Sequence, residues 1–339
     1  MWLMNILPLH SRVIRSFTSS SFKTEPIIIV HGGAGDTPDE WVPDKILGIK
    51  KSVSIGYKIL KDGGSALDAV EAAVRVMEDL EEFNAGYGSV LNIDGEVEMD
   101  ASIMLGENLK SGAVTLVKDI AHPISLARLV MERTPHFMLG GDGAKRFARE
   151  QGIPTLPAGS LVTKKAQLAL DFFKKRIRNK IDVERNGTNP GDVGTVGAVA
   201  LDNKGNIAAA TSTGGLTGKM VGRCSDSSII GSGTYADNNI GAVSSTGVYG
   251  HGESIAKFCL AHSIIKQMEY GKKVQIATEQ SLKKLTQRLN RTAGAITLSK
   301  NGEPAIFFNT KRMAWAFQQG NKINFGIDPN QNETVDAQV

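Results

Sequence analysis

The spacing of apolar and polar positions predicts an alternation of buried strands and amphipathic helices. Apolar runs bounded by glycine, proline or other turn formers predict strands, and they lie at 26–30, 112–117, 196–201, 207–211, 240–243, 294–299, 304–309 and 314–317. Apolar positions at helical spacing predict helices at 44–61, 65–78, 123–132, 142–151, 161–180, 253–270 and 274–289. Strands towards both ends, with helices between them, favour a layered α/β domain. The polar residues after position 328 predict a loose tail.

The Asp94-Gly95 dipeptide, with apolar residues on both sides, predicts the turn of a β-hairpin. Glu96, Glu98 and Asp100 alternate after this turn, so their side chains share one face of the strand. Pairs of carboxylates occur in acid–base sites, but alternation on a hairpin is more typical of a solvated face. We therefore expect these carboxylates to face solvent, with Asp100 partly buried among its apolar neighbours.

The pattern changes most abruptly at Thr195. Residues 185–192 are polar and rich in turn formers, which predicts an exposed loop. The apolar run that begins at Val196 predicts a buried strand, and a turn at 202–206 predicts that the chain returns as a second strand. An exposed loop therefore ends at the Gly194-Thr195 bond, where a core strand begins.

Cleavage of the Gly194-Thr195 bond would leave a threonine that carries its hydroxyl and a free amine on one residue. A free α-amino group has a pKa of about 7.7 to 8.0, so near neutral pH a useful fraction can accept the hydroxyl proton. Glycine at position 194 permits the strained backbone and the close approach that an N-to-O acyl shift requires. A glycine before a strand is also common in proteins without such chemistry, so this pattern alone leaves both interpretations open.

Seven motifs spread over the chain carry a resemblance to a known family. They are His31-Gly-Gly-Ala-Gly35, Phe83-Asn-Ala-Gly-Tyr-Gly-Ser-Val-Leu-Asn92, Gly95-Glu-Val-Glu-Met-Asp-Ala-Ser-Ile-Met104, Gly194-Thr-Val-Gly-Ala-Val-Ala-Leu-Asp202, Thr211-Ser-Thr-Gly-Gly215, Met220-Val-Gly-Arg223 with Asp226, and Tyr235-Ala-Asp237. Together they are similar to the plant-type L-asparaginase and isoaspartyl peptidase family of N-terminal-nucleophile hydrolases. The resemblance implies a four-layer αββα sandwich. It also implies an α chain, 25–194, and a β chain, 195–339, cut from one precursor, with two αβ units forming a dimer.

Thr211 and Thr213 lie two residues apart on the second predicted strand, so they share a face and one of them can meet Thr195 across the hairpin. The resemblance implies that Thr213 supports the nucleophile Thr195 and that Thr211 is structural. It also places Asn84 near the nucleophile, where its side chain would help to orient the hydroxyl.

Arg223 and Asp226 lie three residues apart in a loop of glycine, serine and aspartate. Arginine can bind a carboxylate through two nitrogens and aspartate can hold an ammonium group, although residues at this spacing also form simple surface ion pairs. The resemblance implies that Arg223 binds the substrate α-carboxylate and that Asp226 binds the α-ammonium group.

An oxyanion hole formed by the Thr246 hydroxyl and the Gly247 amide is also implied by the resemblance, and both groups would contact the substrate. Family members run Thr-Gly-His-Gly-Glu without a break, whereas this chain runs Thr246-Gly-Val-Tyr-Gly-His-Gly-Glu253, three residues longer. The insertion, Val248 to Gly250, leaves open whether Gly247 or Gly250 provides the amide.

Two loops raise the question of ions and cofactors. In the resembled family a loop at 77–87 can hold a structural sodium ion through backbone carbonyls, and the aligned residues are Met77, Glu78, Leu80, Phe83, Ala85 and Tyr87. No cofactor for catalysis is implied. The glycine-rich segment at 31–35 has neither dinucleotide-binding nor Walker spacing, so nucleotide binding is disfavoured. The resemblance makes His31 a structural neighbour of the nucleophile rather than a metal ligand.

Composition and charge indicate which kinds of molecule the protein is expected to bind. The formal charge of +4 is small for 339 residues, and the basic residues are not clustered with aromatic ones, so no nucleic-acid surface is indicated. No apolar run approaches the roughly 18 residues of a membrane-spanning helix, so no membrane is indicated. Cys224 and Cys259 form neither a disulfide framework nor a metal-binding spacing, which indicates buried or idle thiols in a reducing compartment. The resemblance implies a small-molecule amide or an isoaspartyl dipeptide as substrate.

Residues 1–24 differ in composition from the rest of the chain. They lack acidic residues, carry Arg12, Arg15 and Lys23, and are rich in hydroxyl groups at 18–21. This N-terminal extension resembles a mitochondrial transit peptide, and a disordered extension or a start codon upstream of the true one explains it equally well. We therefore predict a cytoplasmic location, with the mitochondrion as the alternative.

The resemblance implies a self-cleaving threonine amidohydrolase that hydrolyses L-asparagine to L-aspartate and ammonia and removes isoaspartyl (β-aspartyl) residues from dipeptides. Two other functions stay open. A scaffold protein that has lost processing is supported only by the insertion after Gly247. A taspase-like threonine endopeptidase would need a protein-sized cleft, whereas Arg223 with Asp226 favours small substrates.

Overall fold

The computed structural model describes residues 24–178, 194–247 and 252–337. Its strands are β1 (Ile27–Gly35), β2 (Met99–Leu105), β3 (Ser111–Val117), β4 (Met138–Gly140), β5 (Val196–Leu201), β6 (Ile207–Thr213), β7 (Thr234–Asp237), β8 (Gly241–Gly247), β9 (Ala293–Ser299), β10 (Pro304–Phe308), β11 (Arg312–Gln319), β12 (Lys322–Gly326) and β13 (Glu333–Asp336). Its helices are α1 (Val42–Lys61), α2 (Ala66–Glu78), α3 (Pro123–Arg133), α4 (Gly141–Glu150), α5 (Lys164–Arg178), α6 (Gly252–Phe258), α7 (Leu260–Glu269) and α8 (Val274–Leu289).

Two stacked sheets form the centre of the described structure. The larger sheet has the strand order β13-β12-β11-β1-β5-β6-β2-β3-β4, and the smaller has the order β10-β9-β8-β7. Neighbouring strands are antiparallel except β3 and β4, which are parallel. Most strands therefore run against their neighbours, and the two strands that flank β5 are β1 and β6.

Separate apolar clusters join the layers. The first cluster lies between the two sheets and includes Ile29 and Leu298. The second lies between the larger sheet and α1 to α4 and includes Val30 and Val70. The third lies between the smaller sheet and α6 to α8 and includes Val243 and Ile264. Successive side chains of β1 alternate between the first two clusters, which explains why this strand is a continuous apolar run. The αββα sandwich confirms the predicted fold class. Within the described residues, no helix is long and apolar enough to cross a bilayer.

The hairpin predicted around Asp94-Gly95 is wrong. The turn itself forms, and the Gly95 amide donates to the Asn92 carbonyl over 3.0 Å. The next strand, however, begins at Met99 and pairs with β3 and β6 rather than with the residues before the turn. The partners of β2 are instead the next strand along the chain, β3, and the distant strand β6.

Two of the three carboxylates after that turn are buried, which contradicts the predicted solvated face. Glu98 and Asp100 are 3% and 0% exposed, and Glu96 alone is exposed. Asp100 accepts hydrogen bonds from the Thr115 hydroxyl and from the Ser225 amide, the latter over 2.8 Å. These bonds compensate the burial of the carboxylate and tie β2 to β3 and to the loop at 225.

Three smaller predictions are also corrected. The helix predicted at 253–270 is divided into α6 and α7 at Cys259, whose φ of 50° lies in the left-handed region. The predicted loose tail contains β13, which pairs with β12 at the edge of the larger sheet. Cys224 and Cys259, predicted to be buried or idle, are free thiols and both are exposed, so only the buried alternative is wrong.

Several predictions concern residues outside the described ranges. They are the N-terminal extension up to residue 23, the last two residues of the helix predicted at 161–180, the exposed loop at 185–192, and the insertion at 248–250. Their structure is not described, and these predictions stay as they were stated.

Candidate active site

Thr195 lies at the start of a core strand. Val196, the first residue of β5, pairs with Ser212 of β6, so the register places Thr195 opposite Thr213. Thr195 is 7% exposed, and its Oγ1 atom lies 3.4 Å from the Ser227 hydroxyl. Sequence reasoning missed Ser227. Its signal was its position directly after Asp226 in one of the quoted motifs.

The backbone of Gly194 is tightly enclosed. A Cβ atom added to Gly194 would lie 2.5 Å from Thr246 Oγ1 and 2.6 Å from the Ala34 carbonyl oxygen, so no side chain fits at this position. Gly33 has a φ of +96°, and its own added Cβ would lie 2.4 Å from the Gly194 carbonyl oxygen. The structure thus favours close approach over backbone strain as the reason for a glycine at 194.

Thr246 belongs to this enclosure, and Gly247 follows it at the end of β8. The Thr246 Oγ1 atom accepts a hydrogen bond from the Ala34 amide over 3.2 Å. Gly247 pairs with Ala293 of β9 in the smaller sheet. Because residues 248–251 lie outside the described ranges, the choice between Gly247 and Gly250 as oxyanion donor stays a prediction.

The side chains of Thr213 and Asn84 both form hydrogen bonds with the backbone of Gly215, in the turn after β6. The Thr213 hydroxyl accepts a hydrogen bond from the Gly215 amide over 3.0 Å. The Asn84 side chain donates to the Gly215 carbonyl over 2.8 Å and accepts from the Val90 amide over 3.1 Å. Asn84 therefore holds the turn that follows Thr213, the residue opposite Thr195.

A chain of buried polar groups connects the sheets next to Thr195. It consists of the His31 ring, the hydroxyls of Ser244, Thr211, Thr234 and Ser102, and the Ser227 carbonyl. Burial lowers the pKa of His31 to about 3, an effect that the Thr195 backbone partly opposes, so the ring is neutral near neutral pH. Thr211 lies inside this network, as suits the structural role implied for it.

Arg223 and Asp226 lie together, but Arg223 makes its ion pair with a third residue. The Arg223 Nε atom donates to Glu253 Oε1 over 2.9 Å. An added Cβ at Gly252 would lie 2.7 Å from both Arg223 Nη2 and Asp226 Oδ1, so these two charged groups converge on one glycine. Sequence reasoning missed Gly252 and Glu253, although both stand in the compared Gly-His-Gly-Glu stretch.

Asp226 is a buried carboxyl with spare hydrogen-bonding capacity. It is 4% exposed, and its Oδ2 atom has no hydrogen-bond partner among the described residues. Burial raises its pKa to about 7, although the charge of Arg223 opposes this shift. A carboxyl in this state gains most from a cationic ligand that supplies both charge and hydrogen bonds.

Lys219 brings a further positive charge to the same area. Its Nζ atom donates to the Gly214 carbonyl over 3.0 Å and to the Glu98 carbonyl. An added Cβ at Gly215 would lie 3.0 Å from Lys219 Nζ and 3.2 Å from Arg223 Nη1. The turn that Asn84 holds is therefore lined by two cations, which suits the binding of a carboxylate.

The loop at 77–87 is narrow and lined by backbone carbonyl oxygens. A Cβ atom added to Gly86 would lie 2.2 Å from the Glu78 carbonyl oxygen, and one added to Gly88 would lie 2.0 Å from the Phe83 carbonyl oxygen. Carbonyl oxygens thus crowd a loop that glycine keeps narrow, and oxygen is the donor that hard cations prefer. In the described residues, no group of three or more His, Cys, Asp or Glu side chains could hold a metal ion.

The chain is similar to known proteins over most of its length. The family model described as asparaginase matches residues 24–327. The isoaspartyl peptidase/L-asparaginase of Macaca fascicularis is 49% identical over 313 residues, which cover 92% of this chain and 99% of that protein. The proteins of the same name from Homo sapiens and Xenopus laevis are each 48% identical, over 313 and 311 residues; both matches cover 92% of this chain, with 99% of the human and 98% of the Xenopus protein.

A four-layer αββα sandwich with a buried threonine that opens a central strand defines the class of N-terminal-nucleophile hydrolases. Within that class, this chain belongs to the asparaginase family.

Proposed function

We propose that this chain cleaves itself at the Gly194-Thr195 bond and then hydrolyses L-asparagine to L-aspartate and ammonia, and isoaspartyl dipeptides to their amino acids. The observation that carries the proposal is the placement of this bond. It lies at the start of β5 and is enclosed by Gly33, Ala34 and Thr246. Thr195 also contacts Ser227, the neighbour of Asp226 in a cluster of charged groups that suits an α-amino acid.

Self-cleavage would proceed as an N-to-O acyl shift. The Thr195 Oγ atom attacks the Gly194 carbonyl carbon, the carbon–nitrogen bond breaks, and the hydroxyl proton passes to the departing nitrogen. Water then hydrolyses the resulting ester, which leaves a carboxylate on Gly194 and both a hydroxyl and a free amine on Thr195. The buried position of Thr195 Oγ1 supports this step, because the bond and the hydroxyl are held without bulk water between them.

Hydrolysis of the substrate would use the same threonine. The free Thr195 amine accepts the hydroxyl proton, and Oγ attacks the carbonyl carbon of the substrate amide. The Thr246 hydroxyl and the Gly247 amide stabilise the negative oxygen of the tetrahedral intermediate, as the resemblance implies. Ammonia or an amino acid leaves with a proton, and water hydrolyses the acyl-enzyme to release aspartate.

Substrate binding would rest on Arg223 and Asp226. The unpartnered Asp226 Oδ2 atom supports the assignment of this residue to the substrate α-ammonium group, because an ammonium ligand restores the carboxylate and its hydrogen bonds. Arg223, together with Lys219, supplies positive charge for the α-carboxylate. Both ends of the ligand would be fixed within one small site, which favours single amino acids and dipeptides over protein substrates.

The remaining parts of the proposal concern the environment of the enzyme. A structural sodium ion would be held by the carbonyls of the loop at 77–87, and no cofactor takes part in the proposed chemistry. Two αβ units would pair into a dimer. Free, exposed thiols at Cys224 and Cys259 support a reducing compartment, and we assign the protein to the cytoplasm, with the mitochondrion as the alternative.

The proposal is tested by measuring the intact mass of the purified chain at neutral pH and by running it on denaturing gels, with the Thr195→Ala variant measured in the same way. We expect the wild type to split into two fragments at Gly194-Thr195 and the variant to stay whole, because only the wild type has the nucleophile. Release of ammonia from L-asparagine and of free amino acid from a β-aspartyl dipeptide should follow fragment formation in time. A wild-type chain that stays whole and inactive would instead support a scaffold role.

A further inference from the structure

Lys45 is a fully buried lysine for which the proposed chemistry has no use, and burial lowers its pKa to about 7. It lies in the first turn of α1 and is 0% exposed. A buried charge is costly to desolvate, and a positive charge near a helix N-terminus also opposes the helix dipole. An apolar side chain of similar length would cost less at this position, so a compensating role is expected.

The partner of Lys45 is the glycine-rich end of β1. Its Nζ atom donates to the Gly32 carbonyl over 2.9 Å, and it lies 4.9 Å from the centre of the Phe83 ring. The same ring fills the space between Gly32 and Gly48, since an added Cβ at either glycine would lie within 2.6 Å of it. Lys45 and Phe83 together fix Gly32 against α1.

Gly32 lies in the part of β1 that has left the regular sheet. The ladder between β1 and β11 shifts register between His31 and Ala34, and the ladder between β1 and β5 ends at His31. Gly32 and Gly33 thus form a bulge without strand partners, and bulges of this kind redirect a strand near active sites. The Lys45 Nζ atom supplies the Gly32 carbonyl with the hydrogen bond that the ladders do not.

The bulge is also the segment that encloses the bond to be cleaved. Gly33 contacts the Gly194 carbonyl, and Ala34 contacts the Gly194 backbone on another side. A displacement of Gly32 would therefore be passed to its neighbour Gly33, and from there to the carbonyl that Thr195 attacks.

We infer that Lys45 is a positioning residue for self-cleavage: by holding the Gly32 carbonyl, it sets the glycine bulge against Gly194 and keeps the carbonyl carbon in line with the Thr195 hydroxyl. This inference rests on the self-cleavage proposed above. It adds to the proposed mechanism a residue that is not one of the three, Gly33, Ala34 and Thr246, that enclose the bond.

Timed cleavage of the full chain after cell-free synthesis tests the role of Lys45. The variants are Lys45→Met, which keeps the length of the side chain and removes its charge, and Lys50→Met as a matched control. Lys50 belongs to the same helix and also lies over a phenyl ring, that of Phe325, at 4.7 Å, but it has no contact with the bulge among the described hydrogen bonds. Precursor and fragments are separated on denaturing gels, and thermal unfolding is measured on each purified variant.

We expect Lys45→Met to cleave at least about tenfold more slowly than the wild type, since misplacement of reacting groups by about 1 Å can cost about 100-fold. Its melting temperature should change little, because removal of a buried basic group offsets the hydrogen bond that the Gly32 carbonyl loses. Lys50→Met should cleave at the wild-type rate. Slow cleavage in a chain that has lost no stability separates positioning from a general structural role.

Other outcomes would overturn the inference. Equal cleavage rates in Lys45→Met and wild type would refute the role of Lys45 and leave self-cleavage intact. A wild-type chain that never cleaves would refute the proposed function, and this inference with it. If Lys45→Met does not fold, Lys45→Gln is measured by the same criterion, and failure of both variants to fold would show that Lys45 is only structural.

Discussion

The fold buries Asp226 without giving its Oδ2 atom a hydrogen-bond partner among the described residues. Burial raises its pKa to about 7, with the charge of Arg223 opposing and that of Glu253 adding to the shift. Since only the ionised form attracts a cation, the group changes from a weak to a strong ammonium binder within the physiological pH range. The protonation of Asp226 near neutral pH is therefore determined by its burial and by the neighbouring charges rather than by the ordinary pKa of an aspartate.

The KM for L-asparagine should consequently rise as the pH falls from about 8 to about 6, because Asp226 takes up a proton and loses its charge in this range. Asp226→Asn should raise KM by about 10- to 100-fold, the usual loss for a hydrogen bond to a charged group, and KM should then no longer follow this titration. Steady-state kinetics over the range measure both. A wild-type KM that is constant with pH would contradict this assignment, whereas a pH-dependent kcat would only report the Thr195 amine.

Two irregular elements bring the site together. The bulge in β1 lets Gly33 and Ala34 reach Gly194, which a regular strand paired on both sides would not allow. The break between α6 and α7 at Cys259 lets α6 place Glu253 beside Arg223 while α7 packs on the outer layer. Departures from ideal strand and helix geometry thus position the groups that meet at the site.

The break at Cys259 is expected to carry a cost in stability. Its φ of 50° is unfavourable for most side chains but accessible to asparagine. Cys259→Asn should therefore raise the free energy of unfolding by about 1 kcal/mol.

Urea unfolding in the uncleaved Thr195→Ala background measures this change, with Cys224→Asn as the control. Cys224 is also an exposed free cysteine, but it has no positive φ, so its substitution should leave the unfolding midpoint unchanged. Equal effects of the two substitutions would show that the gain at Cys259 does not come from the backbone conformation.

At the scale of the whole molecule, strands from both sides of the Gly194-Thr195 bond are interleaved in the larger sheet. In the order β13-β12-β11-β1-β5-β6-β2-β3-β4, only β1 to β4 precede the bond. The strand β1 lies between β11 and β5, and β6 lies between β5 and β2. Cleavage at this bond would therefore break the covalent link between the two chains, while their backbones would stay hydrogen-bonded through several strand ladders.

After cleavage, the two fragments should stay together under native conditions and separate only in denaturant. Size-exclusion chromatography in buffer should show one species that contains both fragments, and the same sample in guanidinium chloride should show two. Elution of separate fragments from native buffer would contradict this expectation. The native elution volume also tests whether two αβ units form the proposed dimer.

The sequence by itself determined the layered α/β class, most of the strands and helices, and the point where a polar loop meets a core strand at Thr195. Periodicity is a local property, and it shows which face of an element is buried. Motif resemblance then supplied candidate residues such as Arg223 and Asp226, which the fold brings together at one glycine.

Only the tertiary structure decided what each buried face packs against. It placed the Ser227 hydroxyl beside Thr195, paired β2 with β3 and the distant β6 rather than with the residues before the Asp94-Gly95 turn, and buried Glu98 and Asp100. It also joined Lys45 to the bulge at Gly32. These contacts join residues that are far apart in the chain or lie on different elements, and the spacing of residue types along one element carries no information about its partner in another layer.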